Sequence, residues 1–122
     1  MARILIIDDS KMHATTAARI LTNHGHLIKI APNAEEGLKY AKNDLPDLIL
    51  MDIVMPGMNG FQATRELQIH PETQHIPVIM VSTKDQDTDM VWGKRQGAQA
   101  YVVKPVTEES LMAVVEPLLK KD

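Results

Sequence analysis

Four short apolar runs in this sequence end on residues that can do chemistry. Ile4–Ile7 is followed by Asp8 and Asp9, Leu48–Met51 by Asp52, Val78–Val81 by Ser82 and Thr83, and Tyr101–Val103 by Lys104. Three carboxylates gathered in one place repel, and each raises the pKa of the others unless a cation intervenes. A hard divalent ion with oxygen ligands, most naturally magnesium, resolves that conflict. Metal, carboxylate and lysine together are also what phosphoryl transfer requires, because charge on the equatorial oxygens of the moving group must be neutralised.

Taken singly, each of these residues has an ordinary explanation. Asp9 could cap a first helix, and Asp52 could open a turn with Pro56 and Gly57. Ser82 could be a strand-end hydroxyl, and Lys104 a solvated lysine before Pro105. What weakens these explanations is that all of the residues follow runs of the same kind. The histidines add no metal site by spacing: His13, His24, His26, His70 and His75 do not share one helix face, and His24-Gly25-His26 reads as a solvated turn. The eight methionines are expected to fill gaps in the core and at contacts.

The elements that must position the acids can be read from the pattern around them. With Leu27–Ile30, the apolar runs number five, and each is followed by a polar, helix-like segment. Continuous Ile, Leu and Val without alternation fits strands covered on both faces, as in a parallel sheet. Lys29 interrupts the second run, which marks it as an edge strand. A helix after Asp9 should end near Gly25. Asn33 with Glu36 three residues later forms a capping-box pattern that opens a helix to about Asn43. Further helices are expected from Gly60 to about His70 and from Gln86 to about Gln96, with Gly97 as terminator, and from Thr107 onward. Pro117 falls inside the last of these, where a kink or an early end is expected. Strand then helix, five times over, is an α/β class with a parallel, doubly wound sheet. In such sheets ligands bind outside the carboxyl ends of the strands, the edge where the acids, Ser82 and Lys104 would meet.

Bulk composition excludes several classes. The chain has 122 residues, 44% hydrophobic, which suits one compact domain with a real core. Cysteine is absent, which removes disulfides, thiolate nucleophiles and thiolate metal sites. A net charge of -3 argues against nucleic acid, which calls for clustered Lys and Arg. Tyr40, Phe61, Trp92 and Tyr101 are too few aromatics for a base-stacking platform. The apolar run Ile4–Ile7 is far short of a signal-peptide core of ~7–15 residues. No stretch approaches the ~18 apolar residues of a membrane span. The expectation is a soluble, cytoplasmic protein.

From Arg3 to about Leu119 the sequence resembles the receiver domains of bacterial two-component response regulators. The resemblance rests on Ile6-Ile7-Asp8-Asp9-Ser10, on Leu50-Met51-Asp52 through Met55-Pro56-Gly57-Met58-Asn59-Gly60, on Pro77 through Ser82-Thr83, and on Gly97 through Tyr101-Val102-Val103-Lys104-Pro105. These elements, in order and at these spacings, are specific. The stretch from Lys84 to Gly97 is similar to the single-domain regulators of type IV pilus twitching motility. The resemblance implies a flavodoxin-like fold with strand order 2-1-3-4-5 and residues 1–122 as a single receiver domain with no effector domain. It implies that Asp52 accepts a phosphoryl group from a histidine kinase, forming an aspartyl phosphate. Asp9, Asp52 and the Val54 carbonyl would ligate Mg2+ directly, and Asp8 through water. Lys104 would pair with Asp52 at rest and with a phosphoryl oxygen afterwards. Ser82 would bond that oxygen while Tyr101 turns inward, and Thr83 would narrow access. The Lys104–Pro105 bond would be cis. Output to a partner protein would run through the fourth helix, fifth strand and fifth helix, with Met90 and Lys94 on one exposed stripe and Trp92 facing away from it. The protein would be a monomer or weak dimer that enters no membrane.

Other readings share parts of this pattern. A second role for the same chemistry is a phosphate sink for another regulator. An aspartate-nucleophile phosphohydrolase would carry Asp-x-Asp after its first strand, whereas Asp8-Asp9 are adjacent here, and 122 residues leave little space for a substrate cap. A flavin binder of the same fold needs a Ser/Thr/Gly-rich phosphate loop where this chain has Asp8-Asp9-Ser10. The retained acids and Lys104 speak against a degenerate scaffold.

Overall fold

A computed structural model describes residues 1–120. The elements alternate as β1 (Arg3–Ile7), α1 (Lys11–Asn23), β2 (Leu27–Ala31), α2 (Ala34–Asp44), β3 (Leu48–Met51), α3 (Gly60–Ile69), β4 (Val78–Ser82), α4 (Asp87–Gln96), β5 (Ala100–Val103) and α5 (Glu108–Leu119). All strand pairings are parallel, in the order β2-β1-β3-β4-β5. The strand carrying Lys29 is an edge, as the lysine indicated, and Lys29 Nζ lies 4.4 Å from the centre of the Tyr40 ring.

The apolar runs are continuous because successive side chains enter two different cores. Leu5, Ile7, Ile49, Met51, Val78 and Met80 pack with Ala34, Ala41, Ala63 and Leu67 of α2 and α3 on one face. Ile4, Ile6, Leu48, Leu50, Ile79 and Val81 pack with Ala14, Ala17, Leu21, Leu111, Met112 and Val115 of α1 and α5 on the other. The helix α4 enters neither core through a ridge of side chains. Its single buried residue is Gly93, where an added Cβ would touch Met80, Tyr101 and Phe61. The rest of α4 is open: Val91, Trp92 and Lys94 are all exposed and Met90 is half-buried. A helix held by a glycine approach has no need of a strongly apolar face.

Helix ends follow local chemistry. Ser10, not Asp9, caps α1: its side chain accepts from His13 N at 3.2 Å. Asn33 caps α2 by accepting from Glu36 N at 2.9 Å, but the box is only half made, because Glu36 Oε2 takes the Asn33 side-chain amide at 3.3 Å instead of the backbone. A complete box closes α3, where Asn59 and Gln62 exchange two bonds of 2.9 Å. Gly97 ends α4 at φ 114°, in the left-handed region that glycine occupies without a Cβ clash. In α5 the helix runs two residues past Pro117 to Leu119. The proline sits in the closing turn, where its missing N–H leaves only the exposed Ala113 without an intrahelical donor. Among the described residues no helix is long and apolar enough to cross a membrane.

Candidate functional site

Backbone bonds beyond the strand ends fix the chemical residues in place. Asp8 N donates to Ala31 O at 3.1 Å and Asp52 N to Ile7 O at 2.9 Å, so both acids extend the sheet's ladder by one rung. Lys104 N donates to Ser82 O at 2.7 Å, tying the end of β5 to the end of β4. The Lys104–Pro105 peptide bond is cis. Behind Asp52 the chain turns back tightly: Gly60 N donates to Ile53 O at 2.8 Å, and a Cβ on Gly60 would overlap the Asp52 carbonyl oxygen. Only glycine fits there.

At this edge Asp8, Asp9 and Asp52 each present a carboxylate oxygen within 4.8 Å of the others. Lys104 Nζ donates to Asp8 Oδ2 at 2.8 Å and to Asp52 Oδ1 at 3.2 Å, and its third neighbour is His13 Nδ1 at 3.0 Å. The side chains of Lys104, Asp8 and Asp52 are only 6%, 6% and 8% exposed. Asp9 is exposed. The other oxygen of Asp8 accepts from Ser10 N at 2.8 Å. Lys104 therefore pairs with Asp8 as well as Asp52, and more closely.

Charge at the edge does not balance: three carboxylates face one ammonium. Burial first, then the Asp8 charge, push the Asp52 carboxyl up to about 6; Lys104 pulls it back down and Asp9 adds to the rise. A carboxylate strained in this way gains from a divalent cation, and the donor set of hard oxygens is the one magnesium or calcium takes. The residues present fit such an ion.

The hydroxyl-bearing residues sit on the next loop. Ser82 is 1% exposed, and its Oγ accepts from Lys84 N at 3.2 Å. Thr83 beside it is exposed. Tyr101, half-buried beside Gly93, donates its hydroxyl to Lys84 O at 2.8 Å, and burial raises its pKa. Val54 lies two residues past Asp52 on the β3–α3 loop and is 60% exposed. The sheet thus brings together Asp8, Asp9, Asp52, Ser82 and Lys104. His13 was missed at the level of sequence. Its one signal is position: it precedes Ala14 and Ala17, which face the sheet from the first turns of α1.

Residues 4–116 match the response regulator receiver domain family. The chain is 54% identical to Protein PilH of Pseudomonas aeruginosa over 119 residues, which is 98% of each chain. It is 36% identical to Response regulator PleD of Caulobacter vibrioides over 98% of this chain, but over only 26% of that longer protein. Among solved structures, a putative response regulator from Chloroflexus aurantiacus superposes with a TM-score of 0.94 at 27% identity, covering 98% of both chains. The Vibrio cholerae chemotaxis protein CheY4 superposes with a TM-score of 0.91 at 28% identity, covering 98% of this chain and 99% of that one.

Proposed function

The chain belongs to the response regulator receiver family, and from that premise we propose that it takes a phosphoryl group from a histidine kinase onto Asp52. The observation that carries this reading is Lys104 Nζ held 3.2 Å from Asp52 and 2.8 Å from Asp8, inside a cluster of three carboxylates. An Asp52 carboxylate oxygen attacks the phosphorus of the donor; the bond from phosphorus to the donor imidazole nitrogen breaks, and its electron pair stays with the nitrogen. The product is an acyl phosphate. Asp9, Asp52 and the Val54 carbonyl would hold Mg2+, with Asp8 acting through water, and the ion supplies neutralisation of the phosphoryl oxygens. Lys104 turns one N–H from the Asp52 carboxylate to a phosphoryl oxygen. The Ser82 hydroxyl now accepts from Lys84 N, and its own proton would be donated to a second phosphoryl oxygen. Thr83, exposed beside it, narrows the approach.

The added ~1.5–2 negative charges have to be felt at a distance through an element with two arrangements. Ser82 moving to the phosphoryl group and Tyr101 filling the vacated space form that element. The output face is α4, β5 and α5, carrying Met90 and Lys94. The receiver works as a phosphoacceptor signalling protein, cytoplasmic and monomeric or weakly dimeric, whose only chemistry is its own phosphorylation and dephosphorylation. The likeness to PilH over almost the whole of both chains supports a place in control of type IV pilus twitching motility.

The test is incubation with acetyl phosphate and magnesium, followed by mass mapping. One added phosphoryl group on Asp52, absent in Asp52→Asn, is the expected result. Full labelling of Asp52→Asn would overturn the assignment.

A further inference from the structure

We propose that His13 is a positioning residue for the phosphoryl-transfer step, its Nδ1 taking one N–H of Lys104 and thereby setting where the other two point. The inference rests on the reading of Asp52 as phosphoacceptor. An ammonium has three N–H donors and no lone pair. Lys104 meets three acceptors on three different elements: Asp8 at the end of β1 at 2.8 Å, His13 in α1 at 3.0 Å and Asp52 at the end of β3 at 3.2 Å. Every donor is used. Because Lys104 can only donate, Nδ1 of His13 must carry the lone pair and the ring proton sits on Nε2.

The geometry has a direction. Two short contacts, to Asp8 and His13, pin the ammonium on the β1–α1 side, which leaves the contact to Asp52 as the longest of the three. That is the bond to be surrendered when a phosphoryl oxygen arrives. Without His13 the third N–H finds no neutral acceptor, and with Lys104 6% exposed it turns to the carboxylates. The ammonium then settles closer to Asp52 and occupies the lone pair that must attack phosphorus. His13 also forms part of the wall of a cavity of about 170 Å3 with Met12, Thr16 and Val106, so a small replacement would admit a water molecule in place of the ring nitrogen. A leucine fills the space with no acceptor. An asparagine puts an amide oxygen close to the place of Nδ1.

The rate of Asp52 labelling at saturating acetyl phosphate and magnesium is to be compared in wild type, His13→Leu and His13→Asn, each checked for a cooperative thermal transition. His13→Leu is expected to label about tenfold more slowly, short of the ~100-fold that a 1 Å misplacement can cost, with the half-saturating donor concentration unchanged. His13→Asn is expected to recover most of that loss. Nitrogen NMR of the wild type should show Nδ1 as the unprotonated ring nitrogen, a measurement that needs no variant. Labelling of His13→Leu at the wild-type rate, equal losses in both variants, or a protonated Nδ1 would each overturn the proposal alone. A wild-type protein that cannot be labelled would overturn the phosphoacceptor reading, and the role of His13 would fall with it.

Discussion

Removing the negative charge of the central acid should stabilise the metal-free protein. Burial and the neighbouring Asp8 raise the Asp52 carboxyl from 3.8 to about 6. A raised carboxylate pKa means that folding disfavours the charged form, so the cost is fully present above about pH 6. As pH falls through that value the folded protein binds a proton that the unfolded chain does not, and the cost fades until both forms are protonated below 3.8. At ~1.4 kcal/mol per pKa unit the unscreened cost is ~3 kcal/mol. The exposed Asp9 marks an open side where solvent reaches the site, which reduces the cost to ~1–2 kcal/mol. Asparagine has nearly the same shape and keeps an acceptor oxygen for Lys104, which retains Asp8 at 2.8 Å and His13 at 3.0 Å.

Asp52→Asn should therefore melt ~3–6 °C above wild type at pH 7.5 in a chelator. At pH 5 the linkage leaves roughly half of the difference. Magnesium should then raise the wild type by mass action and the variant less, closing or reversing the gap. Calorimetric melts at the two pH values, with and without magnesium, decide the matter. If the variant is the less stable protein at pH 7.5 without metal, or if the gap is the same at pH 5, the carboxylate cluster is not under the electrostatic load described.

Two other expectations concern the ion and the partner. Asp9→Ala should weaken magnesium more than Asp8→Ala, because Asp9 is open while Asp8 already serves Lys104 and Ser10 N; titration calorimetry showing equal affinities would contradict the ligand roles. Met90→Glu should weaken a phosphorylation-dependent partner while leaving labelling of Asp52 intact, and a partner whose affinity ignores both Met90→Glu and phosphorylation would move the output surface elsewhere.

Most of the fold was legible because strand order and burial leave strong marks on sequence. A parallel sheet with a core on each side demands apolar residues at consecutive positions, and Ile4–Ile7, Leu48–Met51 and Val78–Val81 meet that demand without a break. The lysine in β2 marked the edge for the same reason. How α4 is held was not legible. Gly93 lets the backbone itself approach Met80 and Tyr101, while Val91, Trp92 and Lys94 around it stay in solvent. A glycine inside a helix carries no apolar periodicity, so the pattern of side chains could not reveal how α4 is held. The capping pair Asn59 and Gln62 was legible in principle, since Asn followed three residues later by Gln is the box itself.

The candidate site divides along the same line. Asp8, Asp52 and Lys104 could be grouped from sequence because each ends a strand, and the sheet carries strand ends to one edge whatever the intervening loops do. His13 ends nothing; its bond to Lys104 joins residues 91 positions apart through a side chain on a helix. Lys84 is hidden still more thoroughly, because it acts through its backbone. Its N–H is held by Ser82 Oγ and its carbonyl by the Tyr101 hydroxyl, so the two residues proposed to move on phosphorylation are anchored on one and the same residue. If Ser82 rotates its hydroxyl toward a phosphoryl oxygen, it releases Lys84 N, and the loop is then free to shift the carbonyl that holds Tyr101. A coupling of the two residues would need no long pathway: it would pass through a single residue on the short loop between β4 and α4, acting through backbone groups that every residue but proline carries.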